Sequence, residues 1–412
     1  MPKKLNNNLI VALDIGTSKV VAIVAGVLPD GRLEIVGVGS YPSTGMRKGV
    51  IVNIDAVVNS IQRAVEEAEL MAGCQIHAVY TGIAGSHIRS FNSRGIVAIK
   101  NQEVTKLDIE RVIDAAKAVA IPADQKILHI LPQEFMVDNQ TGIKEPLGMA
   151  GVRLEANIHM ITSAVSCAQN ITNCVRRCDL DVADITLEQL ASSYAVLAED
   201  EKYLGVCILD IGAGTTDVAV FTDGAIRHTA SIPVAGDQVT NDLAVAFRIA
   251  TEAAENIKLK YGCALTELAD AELRVDVTYI GEGKTQSISQ FNLTNVIEPR
   301  YEELFCLVRD ELTRVGLDGA LNAGIVLTGG SSKISGIMEL AESVFKLPVR
   351  LGVPHNILGL TEVLKAPTFS TGIGLLLYGL RSSQRKVKGR CEPSGSIHST
   401  VSKIKNWFQG NF

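Results

Sequence analysis

Two stretches of the chain share one rhythm of apolar and polar positions. Residues 9–25 read LIVALDIGTSKVVAIVA, and residues 207–221 read CILDIGAGTTDVAVF. In each, an apolar run ends in Asp-Ile-Gly, small or hydroxyl residues follow, and a second apolar run begins. The pattern predicts a β-hairpin with a tight glycine turn. Each hairpin is followed by an Asp-Gly turn, at 30–31 and 223–224, and by another strand, at 33–38 and 225–232. The chain therefore reads as two related halves. A further apolar segment, AGIVLTGG at 323–330, ends in paired glycines before a helical stretch at 334–345.

Between and after these landmarks the pattern alternates helix and strand. Residues 51–71 predict a helix with Val58, Ile61, Val65 and Ala68 on one face, Asp55 as its cap and Gly73 at its end. A strand is expected at 76–83. Residues 85–161 predict a small α+β unit inserted between the halves, with strands at 96–99, 127–130 and 156–161. Its helix opens with Thr105-Lys106-Leu107-Asp108, a capping box. Ile109, Val112, Ile113, Ala116 and Val119 form its apolar stripe, and Pro122 ends it. Helices are expected at 187–197 and 370–379. Gly236-Asp237 opens another, with Val239, Leu243 and Phe247 on its apolar face, and 251–261 predicts the next. Strands are expected at 273–279 and 287–293. A long helix from about 295 to 315 follows, with Pro299 tolerated only in its first turn.

From Arg381 the pattern breaks. Residues 381–396 are rich in Ser, Lys, Arg and Gly, with Pro393, and predict a flexible basic linker. Residues 397–412 become apolar again at helical spacing. At 100° per residue, Ile397, Val401, Ile404, Trp407, Phe408 and Phe412 fall within an arc of roughly 140°. Lys403 and Lys405 flank that arc, where their ammonium groups can snorkel to lipid headgroups. Trp407 is the only Trp of the chain, and an indole suits an interfacial depth. This stretch predicts an amphipathic helix lying on a membrane surface.

The 412 residues are too many for one compact core and predict several subdomains. With 47% apolar and 20% charged residues, the composition is that of a globular protein. There is no run long enough to span a bilayer, and MPKKLNNN at the start is basic without an apolar signal region. The eight Cys are scattered in apolar contexts. Cys167, Cys174 and Cys178 share helical spacing, but with no CxxC pair and no nearby His they read as core residues. Reduced thiols and a cytosolic body are expected. The net charge is −6, while the segment from Arg381 onward has seven basic residues and one acidic, leaving the body at about −12. An acidic body argues against nucleic acid as a partner. A basic tail suits an acidic surface.

The chemistry sits in the glycine turns. Without a Cβ, the backbone at Gly16, Gly212 and Gly214 can approach a phosphate, and successive N–H groups form an anion-holding concavity. Thr17, Ser18, Thr215 and Thr216 add hydroxyl donors. Asp14 and Asp210, at the strand ends, can hold magnesium through water. Gly329-Gly330, followed by Ser331, lets a base or ribose lie against the backbone. Two such hairpins facing each other would clamp a triphosphate.

This arrangement resembles the actin/Hsp70/sugar-kinase superfamily, with 14–18 and 210–217 as its phosphate loops and Gly329-Gly330 as its adenosine loop. Within it, the chain is most similar to the FtsA family of bacterial cell-division actin homologues, over nearly its whole length. The resemblance implies a two-lobed actin-like ATPase fold that binds ATP and Mg2+. Subdomain 1A would comprise 1–84, 162–199 and 366–380, and the insertion 85–161 would be the family's subdomain 1C. Subdomain 2A would comprise 200–233 and 305–365, and 2B 234–304. Gly236, Glu255 and Lys258 would border the nucleotide. Glu188 occupies the place of the carboxylate that orients the attacking water in Hsp70-like members. No lysine matches the catalytic one supplied by the missing actin subdomain, so hydrolysis is expected to be slow at most. The helix around VIEPRYEEL, with Arg300 and Glu303, matches the stretch that binds the C-terminal tail of FtsZ. The family's role implies a self-associating adaptor, peripheral on the cytoplasmic face of the membrane at the division site. It would tether FtsZ filaments to anionic lipids and gather other division proteins, through 1C in that family's manner. The rival readings on the same fold are a small-molecule kinase, with Asp237 as its base, and a pilus-assembly ATPase. A chaperone would need a peptide-binding domain beyond this length.

Overall fold

The computed structural model describes residues 9–280, 285–359 and 364–388. The expected membrane helix, 397–412, lies outside the described residues.

The chain opens with the first hairpin and its extension, β1 (Leu9–Ile15), β2 (Lys19–Val27) and β3 (Leu33–Pro42). A short ribbon, β4 (Met46–Arg47) and β5 (Val50–Ile51), leads to α1 (Ile54–Ala72) and β6 (Ala78–Ile83). Asn53, not Asp55, caps α1: its side chain accepts from the Ala56 amide at 3.1 Å. Asp55 lies inside the first turn and pairs with Arg177. Gly73 ends the helix in the left-handed conformation, as expected.

The insertion is a four-stranded antiparallel sheet under one helix: β7 (Arg89–Ala98), α2 (Lys106–Lys117), β8 (Gln125–Val137), β9 (Gln140–Ile143) and β10 (Arg153–Ala164). The Thr105–Asp108 capping box forms in both directions. The helix ends at Lys117, so Val119 falls outside the stripe and is exposed. The strands run much longer than the apolar pattern predicted. Pro132 does not stop β8, because the pairing to β10 slips there and leaves Gln133 as the extra residue of a bulge.

The chain then returns through α3 (Val165–Arg176) and β11 (Asp181–Leu187) to the first sheet, whose order is β11-β6-β1-β2-β3-β19, with β19 (Ile357–Gly359) supplied from near the end of the chain. Cys174 is fully buried on α3, and the described cysteines are free thiols. Helices α4 (Glu188–Val196) and α5 (Glu199–Leu204) lead to the second hairpin, β12 (Val206–Ile211), β13 (Thr216–Thr222) and β14 (Ala225–Ile232). There follow α6 (Gly236–Phe247), α7 (Thr251–Tyr261), the ribbon β15 (Arg274–Thr278) and β16 (Thr285–Ser289), and α8 (Gln290–Arg314). The second sheet, β14-β13-β12-β17-β18, is completed by β17 (Ile325–Thr328) and β18 (Val349–Leu351), with α9 (Ile337–Phe345) between them. The last strand, β19 (Ile357–Gly359), crosses back to pair with β3, so it belongs to the first sheet rather than to the 2A segment expected for it. α10 (Ser370–Lys388) closes the described chain.

Three more helix ends differ from expectation. α8 starts at Gln290, capped by Ser289, and Pro299 lies well inside it. Proline removes one intrahelical hydrogen bond, but the buried stripe Leu293, Ile297, Tyr301, Leu304 and Phe305 anchors both sides. One helix thus spans the expected 2B–2A boundary at 304. α9 starts at Ile337, because Gly336 takes a left-handed conformation just before it. α10 stays helical through Lys388, past the expected linker start at 381.

The two sheets share a core between them. Ile10, Ala12 and Ile23 of the first meet Ile208, Ala219 and Val326 of the second through Leu190, Ala191, Ala195, Ile373 and Leu376 of α4 and α10. Those two helices therefore connect the lobes.

Candidate functional site

The two hairpins match residue for residue. In each the register closes at the residue before the glycine, Ile15 on Val20 and Ile211 on Thr216. The Gly16 amide donates to the Lys19 carbonyl and the Gly212 amide to the Thr215 carbonyl, both at 3.0 Å. Even the irregularity in the following pairing falls at the same step, Val24/Ala25 and Val220/Phe221. The turns face each other closely: a Cβ at Gly214 would fall 2.6 Å from Thr17 Oγ1 and 3.0 Å from the Lys48 backbone.

Between them lies a cavity of about 640 Å³. Asp14, Gly16, Thr17, Ser18, Asp210, Gly212, Gly214, Thr215, Glu255, Lys258, Gly329, Gly330 and Ser331 line it, with Glu188. Thr216 and Gly236 do not. The Thr216 hydroxyl points away and donates to the Val234 carbonyl at 2.8 Å. Gly236 lies beneath the lining, its carbonyl accepting from Lys258 Nζ at 3.0 Å. Asp237, the base a kinase would need, is not among the lining residues either.

The phosphate-loop end is rich in carboxylates. Burial pushes Asp14 up to about 7, opposed by Lys19 and assisted by Asp210. Burial also raises Asp217 to about 7, with Asp210 adding to it. Glu188 is raised well above the usual carboxylate range by burial and by Asp14, Asp217 and Asp210 together. Burial raises Asp210 as well, against hydrogen bonds from Ser192 and Thr371. Four carboxyl groups share one poorly solvated cleft, which favours cationic compensation. Lys19 reaches in from the end of the first loop. Burial lowers its pKa to about 8, while Asp14 raises it. Its ammonium stands 3.9 Å over the ring of Phe369. Among the described residues, no three His, Cys, Asp or Glu side chains converge to hold a metal by themselves.

The other end of the cavity is a tight polar knot. Lys258 Nζ donates to the Gly236 carbonyl, to Thr240 Oγ1 at 2.8 Å, and pairs with Glu255 at 2.7 Å. Ser331 Oγ donates to the Gly212 carbonyl at 2.7 Å, tying the turn after Gly329-Gly330 to the second glycine turn. The buried Tyr301 of α8 donates its hydroxyl to the Ser331 carbonyl at 3.2 Å. Gly329 adopts φ +88°, and a Cβ there would fall 2.5 Å from Asp210 Oδ1.

Sequence reasoning passed over Lys19, Lys333 and Asp217, which also line the cavity. Lys19 and Asp217 were signalled by position, because each immediately follows or closes a phosphate turn. Lys333, in the turn after the paired glycines, carried no pattern. Outside the cleft, Arg300 and Glu303 sit together on α8, but Arg300 is already engaged. Its guanidinium forks onto Asp242 of α6 at 2.6 and 3.1 Å and also pairs with Glu303.

The family model described as "Cell division protein FtsA" matches residues 207–374, and the one described as "SHS2 domain inserted in FTSA" matches 85–162. A Cell division protein FtsA from Pseudomonas aeruginosa is 57% identical over 414 residues, covering 99% of either chain. Its counterpart from Escherichia coli K12 is 44% identical over 422 residues, covering both chains fully. The chain belongs to the FtsA family. The insertion thus matches the SHS2 domain of FtsA proteins. Among solved structures, the PilM-PilN type IV pilus biogenesis complex has a TM-score of 0.68 at 17% identity, covering 90% of this chain and 98% of that one. MreB5 of Spiroplasma citri bound to ADP has a TM-score of 0.56 at 17% identity, covering 94% and 99%. At that identity both show the actin-like fold alone.

Proposed function

We propose that this FtsA-family chain is an ATP-binding, self-associating cell-division protein that tethers FtsZ filaments to the cytoplasmic face of the membrane. The observation that carries the nucleotide reading is the matched pair of glycine turns facing one cavity that Gly329-Gly330 also lines. The nucleotide complexes of MreB5 on the same fold support it. Asp14 and Asp210 offer hard oxygen donors in the cleft, and a magnesium ion usually takes one or two carboxylates plus phosphate oxygens and waters. That suits a donor set too sparse to hold a metal alone. Magnesium would neutralise phosphate charge; Lys19 and Lys333 would share in that, and the loop amides would hold the phosphates.

Glu188 is the group for orienting a water, and no lysine matches the catalytic one of the actin subdomain that this family lacks, so turnover is slow at most. The FtsZ tail is assigned to the α8 face around Arg300 and Glu303. The SHS2 insertion is the surface for later division proteins. The basic, amphipathic C-terminal sequence is the lipid anchor. Among the described residues no helix is long and apolar enough to cross a membrane, which fits a peripheral attachment. A kinase reading loses its base, because Asp237 does not line the cavity.

Co-sedimentation with anionic liposomes tests the whole reading, run with and without ATP and with and without FtsZ. ATP should increase pelleting, and FtsZ should pellet only when this protein is present. FtsZ left in the supernatant under all conditions would refute the tether.

A further inference from the structure

Asp210 is held from two helices at once. Ser192 Oγ of α4 donates to Asp210 Oδ2, and Thr371 Oγ1 of α10 donates to the same oxygen at 3.0 Å. The two hydroxyl oxygens stand 3.1 Å apart. Each hydroxyl has one proton, and with both placed on Oδ2 that oxygen is fixed as an acceptor facing the two helices. Oδ1 is left on the side of Gly329, where the missing side chain keeps it clear. Ser192 is fully buried, so neither solvent nor a mobile surface group sets this geometry.

The helix crossing makes the convergence possible. A Cβ at Gly374 of α10 would fall 2.0 Å from the Ala191 carbonyl of α4, so only glycine lets the helices meet there. At the first hairpin, Gly372 of α10 approaches Asp14: a Cβ on it would lie 4.0 Å from Asp14 Cβ.

We propose that Ser192 and Thr371 are positioning residues that hold the Asp210 carboxyl turned toward the divalent cation of a bound nucleotide. This rests on the nucleotide reading of the cleft. Because the two hydroxyls come from the helices that connect the lobes, the carboxylate is set only when those helices are crossed as seen here. Supporting partners of this kind typically contribute 10–100-fold to metal affinity.

The test is titration of a fluorescent ATP analogue in excess magnesium and in EDTA. Wild type is compared with the double variant Ser192→Ala/Thr371→Val and with Thr371→Ser. The double variant should lose 10–100-fold of the magnesium-dependent gain and keep its affinity in EDTA, whereas Thr371→Ser should keep both. An intact magnesium gain in the double variant overturns the proposal. So does an equal loss in magnesium and EDTA, which would make the hydroxyls merely structural. If the double variant does not melt cooperatively, Thr371→Val alone decides by the same comparison. A wild type that shows no magnesium gain refutes the cleft reading itself, and this proposal with it.

Discussion

Glu188 Cγ occupies the space that a side chain at position 82 would fill: a Cβ on Gly82 would fall 2.6 Å from it and 2.9 Å from Oε1. Gly82 is the penultimate residue of β6, beside the start of α4, and so makes room for the carboxylate over the cavity. Gly82→Ala must therefore push Glu188 aside. A displacement near 1 Å at a reacting group costs up to about 100-fold in rate. Phosphate release should fall by about 10–100-fold, with ATP-analogue affinity changed only a few-fold. Unchanged release would remove Glu188 from the hydrolytic role.

A second prediction concerns the seam between the insertion and β14. Ser90 Oγ and Gln133 Nε2 donate to the Thr229 and Ile226 carbonyls, each at 2.8 Å, capping the outer edge of that strand. His159 is buried among them, against Asn92 at 2.7 Å and Thr229 at 3.2 Å. Burial, with His228 and His129 adding to it, drives its pKa down to about 3. A histidine depressed below its ordinary value near 6.5 is neutral in the fold and takes up a proton on unfolding. Its stabilising contribution is thus full above about pH 6.5 and is lost as pH falls toward 3, by at most about 1.4 kcal/mol per pH unit. Melting of wild type between pH 7 and 4.5 should steepen relative to His159→Gln. Parallel curves would show that the imidazole is not buried neutral.

The hairpins, the SHS2 insertion and most of the cleft were legible because each follows from a local rule. Apolar runs ending in Asp-Ile-Gly specify strand and turn, and Thr105 with Asp108 specifies a helix start. What was missed depends on distant partners. β19 finds β3 across the chain, and three residues carry no register of their own. Pro299 misled because the tertiary stripe around Tyr301 and Phe305 holds α8 through it. Thr216 misled because strand alternation turns its hydroxyl to Val234, away from the cavity that Thr215 lines. Ser192 and Thr371 were invisible, since only the crossing of α4 and α10 brings them to Asp210.

Arg300 offers a third prediction, because its charge is already spent on Asp242 and Glu303. Arg300→Glu would set three carboxylates together and cost on the order of 1 kcal/mol of stability, whatever its effect on a partner. Asp242→Asn is the sharper probe, because it frees part of the guanidinium's charge. If an acidic FtsZ tail peptide uses Arg300, anisotropy should show tighter binding to Asp242→Asn and weaker binding to Arg300→Met. If neither variant changes the affinity, the peptide does not use Arg300.

The final prediction concerns residues 389–412. α10 runs to Lys388, with the Arg381 guanidinium 4.3 Å over the ring of Tyr194. A cut after Lys388 therefore removes the amphipathic sequence, with Arg390, Lys403 and Lys405, and keeps the described helix whole. Six apolar side chains at about half of their full burial value of 1.5–3 kcal/mol give on the order of 5–9 kcal/mol. Against this stands the ordering of a helix too short to be stable in water. Basic residues near an anionic leaflet add about 1 kcal/mol each, less as salt rises. One subunit should thus bind reversibly, and a polymer presenting many tails should bind firmly. The truncated chain, and Trp407→Glu in the full chain, should bind the ATP analogue normally yet stay in the supernatant with anionic vesicles. A truncated chain that still floats with the vesicles would place the anchor elsewhere.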